Sequence, residues 1–209
     1  MKKLLLSAFV ICLAGTSIAQ ESPLWMRHCA LSPDGTTIAF IYKGDIYTVP
    51  STGGRATQIT TNPAFDTEPV WSPDSKQIAF ASDRMGSLDV FVVSSEGGAP
   101  QRLTTHSGSE KPVAYKDNKH ILFTANIAPS AEDAGFPSGQ FQQVYEVAVT
   151  GGRPAMFSSM PMECISINKE GVMLYQDKKG YEDYWRKHQV SPIARDIWTY
   201  TPGKKPVYQ

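Results

Sequence analysis

The chain has 209 residues, of which 41% are hydrophobic, and its 20 basic side chains balance 20 acidic ones. This composition is typical of a folded globular protein and excludes the collagen-like and intrinsically disordered classes. Since the chain has no basic excess with which to bind phosphates, nucleic acid is not expected as a partner.

The first nineteen residues predict a secretory signal peptide. Lys2 and Lys3 precede the apolar run LLLSAFVICLA, and the small residues Ser17 and Ala19 suit a cleavage site after Ala19. The apolar run is shorter than the roughly 20 residues that a membrane span needs. We therefore expect a periplasmic or secreted protein without a membrane anchor, carrying 18 basic and 20 acidic residues after cleavage.

Cleavage at this site would leave two cysteines, Cys29 and Cys164. Two cysteines do not form a disulfide scaffold in a chain of this length, so we expect two buried free thiols. A disulfide between them in an oxidising compartment is the alternative. His28 beside Cys29 has no further ligand at metal-binding spacing, and we interpret this pair as core residues rather than a metal site.

Four copies of one unit follow the leader. The copies contain CALSPDGTTIAF, PVWSPDSKQIAF, PVAYKDNKHILF and CISINKEGVMLY, and aligning Phe40, Phe80, Phe123 and Leu174 gives spacings of 40, 43 and 51 residues. This period is typical of β-propeller blades. We predict an all-β chain whose residues 20–209 form four blades, at about 29–61, 69–105, 112–158 and 163–209.

The fourth copy ends at PVYQ, where its last strand is expected. An open arc of four blades would expose strand edges and a hydrophobic blade face. We therefore expect an incomplete propeller of six or more blades, with a self-contained ring of four blades as the alternative.

Each copy divides into four short strands, called a to d. Ser32 and Asp34, with His28 upstream, could form a nucleophile site or a tight turn between strands a and b. The copies YKDN and NKEG lose the serine and keep the turn character, so these residues are interpreted as a turn. The Gly pairs are likewise interpreted as turns between strands c and d. In strand b, Ile and Phe side chains are expected on one face, and Ala39 and Ala79 on the other, where neighbouring blades approach.

The elements SPDG, IAF, GDIYTV and GG resemble the propeller repeat of TolB, tricorn-type proteases and prolyl-oligopeptidase relatives. GYEDYWRKHQVSPIARDIWTY, at 180–200, is similar to a stretch of bacterial tricorn-like serine proteases, in which a propeller precedes PDZ and serine-protease modules. The resemblance covers everything after the leader. It implies a non-catalytic substrate-gating or scaffold domain of a peptidase involved in proteolysis.

The same resemblance implies that the partners are a peptide or protein substrate and downstream protease domains of the same polypeptide. It carries no catalytic residue over to this chain, which leaves its status as an enzyme undecided, and no cofactor or metal is expected. The alternatives are a TolB-like periplasmic protein–protein interaction module and, as a third reading, a propeller that binds glycans or small ligands.

Two connections between strands b and c, at 126–142 and 177–195, are longer than a blade requires. Both are expected on the same face, and long loops on a rigid scaffold commonly bind ligands. The second connection contains aromatic and basic side chains suited to a peptide backbone or carboxylate. The candidate binding residues are Tyr181, Tyr184, Trp185, Arg186, His188 and Arg195. Packing of this loop against its neighbours is the alternative role.

Overall fold

The computed structural model describes residues 25–127, 142–160, 162–168, 170–177, 196–205 and 207–208. The strands in these ranges form four antiparallel sheets of four strands each, and no helix occurs among them. The described segments include no helix long and apolar enough to cross a membrane. The predicted all-β fold with four propeller blades is confirmed.

Each blade comprises four strands that pair in chain order. Blade 1 contains β1 (Arg27–Leu31), β2 (Thr37–Tyr42), β3 (Asp45–Pro50) and β4 (Thr57–Gln58). Blade 2 contains β5 (Asp66–Trp71), β6 (Gln77–Ser82), β7 (Asp89–Ser94) and β8 (Gln101–Arg102). Blade 3 contains β9 (Glu110–Asp117), β10 (His120–Ala125), β11 (Gln143–Ala148) and β12 (Ala155–Ser158). Blade 4 contains β13 (Met162–Ile167), β14 (Met173–Asp177), β15 (Ile197–Tyr200) and β16 (Val207–Tyr208).

The first strands of consecutive blades pack against one another and form the inner wall of the arc. They contain five to eight residues each. A β-bulge shifts the register of each of these strands against the second strand of its blade. A bulge interrupts the alternation of side chains, so the inner strands do not show the pattern by which strands are recognised.

The hydrophobic core lies between the blades, where a face with small or slender side chains meets a face with large ones. This arrangement confirms the faces expected for strand b. Ala39 and Ile46 of blade 1 pack with Ile78, Phe80 and Phe91 of blade 2. Ala79 and Val92 pack with Ile121, Phe123 and Tyr145 of blade 3. Leu122 and Val144 pack with Met173 and Tyr175 of blade 4.

The sequence alignment of the fourth copy is wrong by one residue. Tyr175, not Leu174, occupies the position of Phe80, because Tyr175 pairs with Trp198 as Phe80 pairs with Phe91. Tyr175 is buried, whereas Leu174 lies on the opposite face and is 44% exposed. The run VMLY has no polar alternation, and a one-residue slip in a strand exchanges its two faces.

Candidate functional site

A cavity of about 520 Å³, the central cavity, lies between the inner strands and is the candidate functional site. It is lined by residues of all four blades. Its polar or ionisable side chains include His28, Cys29, Glu68, Lys111, Glu163 and Cys164, and its apolar wall includes Pro69, Val70, Pro112, Val113, Met162 and Ile165. An apolar wall with a few polar groups is typical of ligand-binding cavities.

The bulges position three of these polar side chains. His28, Glu68 and Cys164 each have a positive φ, of 49°, 54° and 52°, at the bulge of their inner strand. Non-glycine residues rarely adopt such a φ, and the resulting backbone strain concentrates at functional sites. Blade 3 has Pro112 at this position, and its ring restricts φ to negative values.

An ion pair crosses the cavity wall between two blades. The Lys111 ammonium of blade 3 lies 2.9 Å from a carboxylate oxygen of Glu68 in blade 2. Both side chains are partly exposed, so the pair stabilises the fold by less than about 1 kcal/mol. It joins the inner strands of blades 2 and 3 beside the bulge that contains Glu68.

Both cysteines are exposed free thiols that line this cavity. The expectation that they are buried is wrong, as is the interpretation of His28 and Cys29 as core residues. The bulges turn these side chains out of the blade packing and towards the cavity. Throughout the described ranges, no three metal-ligating side chains come together.

Two buried carboxylates belong to Asp66 and Asp89, which are the first residues of β5 and β7. The Asp66 carboxylate is fully buried and lies 3.0 Å and 3.2 Å from the Arg84 guanidinium. That guanidinium also lies 4.5 Å from the centre of the Phe91 ring. Asp89 is fully buried too, 2.9 Å from Arg102.

Glu110 occupies the position of Asp66 in the next blade, and it is 1% exposed. Burial raises the pKa of its carboxyl, and the negative charge of Asp89 raises it further, against a hydrogen bond from Thr104 and the influence of His106. One of its carboxylate oxygens has no hydrogen-bond partner among the described residues. This carboxyl is therefore held in an environment that favours its neutral form.

The SPDG turn borders a second cavity, of about 390 Å³, between blades 1 and 2. The Ser32 hydroxyl donates to Asp34 at 2.6 Å and accepts from the Thr37 N–H at 3.0 Å. The hydrogen bond from Ser32 lowers the pKa of Asp34, which makes this carboxylate a weak base. His28 lines the other cavity. The geometry is therefore that of a structural turn, and Ser72 with Asp74 repeats it at 2.6 Å.

The predicted binding residues lie in the segment 178–195, outside the described residues. The residues that line the 520 Å³ cavity were not among those predicted to bind a ligand. The available signal was two adjacent polar or ionisable residues near the start of each inner strand, where a regular strand would alternate: Arg27–His28, Thr67–Glu68, Glu110–Lys111 and Glu163–Cys164.

A family model described as "Tricorn protease N-terminal beta propeller domain" matches residues 23–209. An uncharacterized peptidase, YuxL, of Bacillus subtilis is 32% identical over 108 residues, which cover 46% of this chain and 16% of that protein. Tricorn protease homolog 1 of Streptomyces coelicolor is 38% identical over 77 residues, covering 37% of this chain and 7% of that protein. The matched regions are thus a small part of both relatives.

Solved propeller structures are similar to this chain in fold. A putative TolB from Agrobacterium tumefaciens has a TM-score of 0.62 at 23% identity, covering 86% of this chain and 64% of that chain. TolB from Acinetobacter baumannii has a TM-score of 0.65 at 17% identity, covering 88% and 43%. The tricorn protease has a TM-score of 0.60 at 13% identity, covering 88% and 22%.

Proposed function

Since the chain belongs to the tricorn protease N-terminal β-propeller domain family, we propose that its propeller admits peptide or protein substrates to a serine peptidase module of the same polypeptide. The propeller itself is a scaffold and substrate gate without catalytic residues. The observation that carries this proposal is the central cavity, which is lined by strained polar residues and an apolar wall.

The inner strands suit an extended peptide. β1, β5, β9 and β13 each lie at the end of their sheet, so one backbone edge of each strand has no strand partner within its own blade. Extended peptides bind such edges through main-chain hydrogen bonds, while side-chain pockets provide selectivity. The Glu68–Lys111 pair leaves the wall between blades 2 and 3 close to neutral, which suits a substrate selected by shape rather than by charge.

Residues 1–19 are proposed to direct export to the periplasm or the exterior, and residues 20–209 to contribute the first four blades. Further blades would cover the face of blade 4 that exposes Leu174 and Ile197 at 44% and 47%. Their equivalents in the other blades, such as Ala79 and Leu122, are fully buried between blades.

The segment at 178–195 is proposed to contribute a second peptide contact. Trp185→Ala and Arg186→Ala should weaken peptide binding by the complete protein without changing its melting temperature. Equal affinity of parent and variants would leave packing as the role of this segment.

The native thiols allow a direct test of admission through the cavity. A bulky maleimide coupled to Cys29 and Cys164 should block cleavage of a long peptide by the complete protein, while cleavage of a short chromogenic amide continues. The Cys29→Ser, Cys164→Ser double variant is the matched control, because the same reagent should leave its long-peptide cleavage unchanged. Equal inhibition of parent and control, or none in either, would contradict the proposal.

An interaction module of the TolB kind is the second candidate. It is favoured by Phe65 and Met85, which are 45% and 61% exposed near the turns that join strands b and c in blades 1 and 2. Phe65 lies beside the turn that contains Met85, because its N–H donates to the Asp83 carboxylate at 2.8 Å, and contiguous exposed apolar patches mark protein-binding surfaces. In that case Phe65→Ser and Met85→Ser would abolish capture of a protein partner, and the maleimide would have no effect on it.

A further inference from the structure

The second cavity, of about 390 Å³, is lined by residues of blades 1 and 2 and shares none of them with the central cavity. Its volume falls within the range of about 300–1,000 Å³ that is typical of ligand-binding cavities. Seven of its lining residues are serines or threonines, and three others are Asp34, Arg55 and Glu96. The structure describes every residue from 25 to 127, so both walls of this cavity are described without a gap.

The repeat identifies one position that gives this cavity its polar character. Thr48 pairs with Ala39 in blade 1 as Val92 pairs with Ala79 in blade 2, so Thr48 and Val92 are equivalent. Val92 packs in the apolar core between blades 2 and 3, whereas Thr48 is 8% exposed and lines the cavity. Threonine has nearly the shape of valine, but it places a hydroxyl where the next junction has a methyl group.

The opposite wall and the rim show the same exchange. Ser95 directly follows β7 as Val149 directly follows β11, and Val149 packs against the core between blades 2 and 3, whereas Ser95 lines the cavity. Arg55 and Ala99 each follow the Gly pair of their blade, and Arg55 also lines the cavity. The junction of blades 1 and 2 therefore has three polar side chains where the junction of blades 2 and 3 has apolar ones.

Several of these polar groups are available to a ligand. The hydroxyls of Thr48, Thr57 and Ser95 have no hydrogen-bond partner among the residues that the structure describes, and neither has the Arg55 guanidinium. A hydroxyl in a buried position such as that of Thr48 costs free energy unless it is hydrogen-bonded. Water can supply the partner in the free protein, and a bound ligand can replace that water.

The lining suits a ligand that both donates and accepts hydrogen bonds. A guanidinium only donates, an ionised carboxylate only accepts, and a hydroxyl does both. Arg55 is of the first kind, Asp34 and Glu96 are of the second, and the serines and threonines are of the third. The hydroxyl groups of a saccharide can bond to all three kinds. Because the two carboxylates outnumber the one guanidinium, an uncharged saccharide is favoured over an acidic one.

Apolar side chains line the same cavity. Trp71, Ile59, Val49 and Pro50 are among its lining residues. The Trp71 indole N–H already donates to Ala30 O at 3.0 Å, so the remainder of this side chain is apolar surface. The C–H faces of a sugar ring can be buried against such surface while its hydroxyl groups bond to the polar side chains.

We propose that the cavity between blades 1 and 2 binds an uncharged saccharide of one or two rings, through Thr48, Arg55, Ser95 and Glu96. This site does not depend on the proposed function, because it shares no lining residue with the central cavity. A free oligosaccharide and a saccharide unit of a larger polymer offer the same chemistry to it.

An array of immobilised glycans, probed with the complete protein, tests the choice of ligand. Uncharged glycans should be retained about ten-fold more strongly than acidic ones, because acidic glycans would be repelled by Asp34 and Glu96. No retention of any uncharged glycan, or stronger retention of acidic ones, would overturn the proposal. The best uncharged glycan is then tested as a free trisaccharide and as its polysaccharide. Binding of the trisaccharide alone would identify a free oligosaccharide as the ligand, and binding of both would identify a polymer.

Three substitutions test the position of the site, and each introduces the residue that the next junction already has. Thr48→Val, Arg55→Ala and Ser95→Val should each weaken binding of the trisaccharide by about ten-fold, since each removes a hydrogen bond. Thr48→Val should do so without lowering the melting temperature, because it removes an unpaired hydroxyl. Arg153→Ala is the matched control, since Arg153 follows the Gly pair of blade 3 and does not line this cavity. Unchanged affinity in Thr48→Val and Arg55→Ala, or an equal loss in Arg153→Ala, would overturn the proposal.

Discussion

Asp66 and Glu110 occupy the same position of consecutive blades, and each pairs across the sheet with the last residue of its blade's second strand. Asp66 is held by the guanidinium of Arg84 at 3.0 Å, whereas Glu110 has a carboxylate oxygen without a partner among the described residues. The Asp66 carboxylate is therefore stabilised by a neighbouring charge, whereas ionisation of the Glu110 carboxyl costs free energy in the folded chain.

Neutralising these two residues should change stability in opposite directions at neutral pH. Asp66→Asn should destabilise the chain by about 3 kcal/mol, because it leaves Arg84 with a buried, uncompensated charge. Glu110→Gln should stabilise it by about 1 kcal/mol, because it removes the cost of burying a charge beside Asp89. Urea unfolding of both variants measures these changes. Destabilisation of similar size in both variants would contradict the assignment.

The effect of Glu110→Gln should depend on pH. The pKa of Glu110 is raised in the folded chain, so the folded state binds the proton more tightly than the unfolded state does. The protonated Glu110 carboxyl therefore contributes to folding stability below its ordinary pKa of 4.5. This contribution is lost as the pH rises through the raised pKa of the folded chain. The gain in melting temperature from Glu110→Gln should therefore shrink between pH 7 and pH 4. A gain that stays constant with pH would show that the charge of Glu110 is not its cause.

Trp71 and Tyr115 lie at equivalent positions and provide a second matched pair. Trp71→Phe should cost at least about 1 kcal/mol, since it removes the hydrogen bond to Ala30 O at 3.0 Å. The Tyr115 hydroxyl is buried without a partner in the described part of the chain, so Tyr115→Phe should be neutral or stabilising. Thermal unfolding at one pH measures both variants. A decrease in melting temperature for Tyr115→Phe as large as that for Trp71→Phe would contradict this prediction.

The register of the fourth blade can be tested by two truncations of adjacent residues. Tyr175→Ala removes a buried aromatic side chain and should destabilise the 209-residue chain by about 3 kcal/mol. Leu174→Ala removes a side chain from the exposed face and should cost less than about 1 kcal/mol. A larger loss of stability for Leu174→Ala than for Tyr175→Ala would support the alignment of Leu174 with Phe80.

The repeat was sufficient to predict the fold, because each copy carries the same turn and the same apolar strand. The Ser32 and Asp34 side chains could be assigned to a turn because the other copies vary there. The cavity was missed, since the bulges that expose His28 and Cys164 interrupt the alternation by which the faces of a strand are assigned. Leu174 was misaligned because the run VMLY contains no polar residue that would mark which face of the strand is buried. The binding role of Trp185 and Arg186 stays a prediction.

Photo-cross-linking of a substrate tests the proposed admission route most directly. A long peptide with a photoreactive side chain would be bound to the complete protein, irradiated and mapped by mass spectrometry. We expect the adducts on the inner strands, at Arg27–Leu31, Asp66–Trp71, Glu110–Asp117 and Met162–Ile167. Adducts confined to other parts of the polypeptide, with none on the inner strands, would contradict the account.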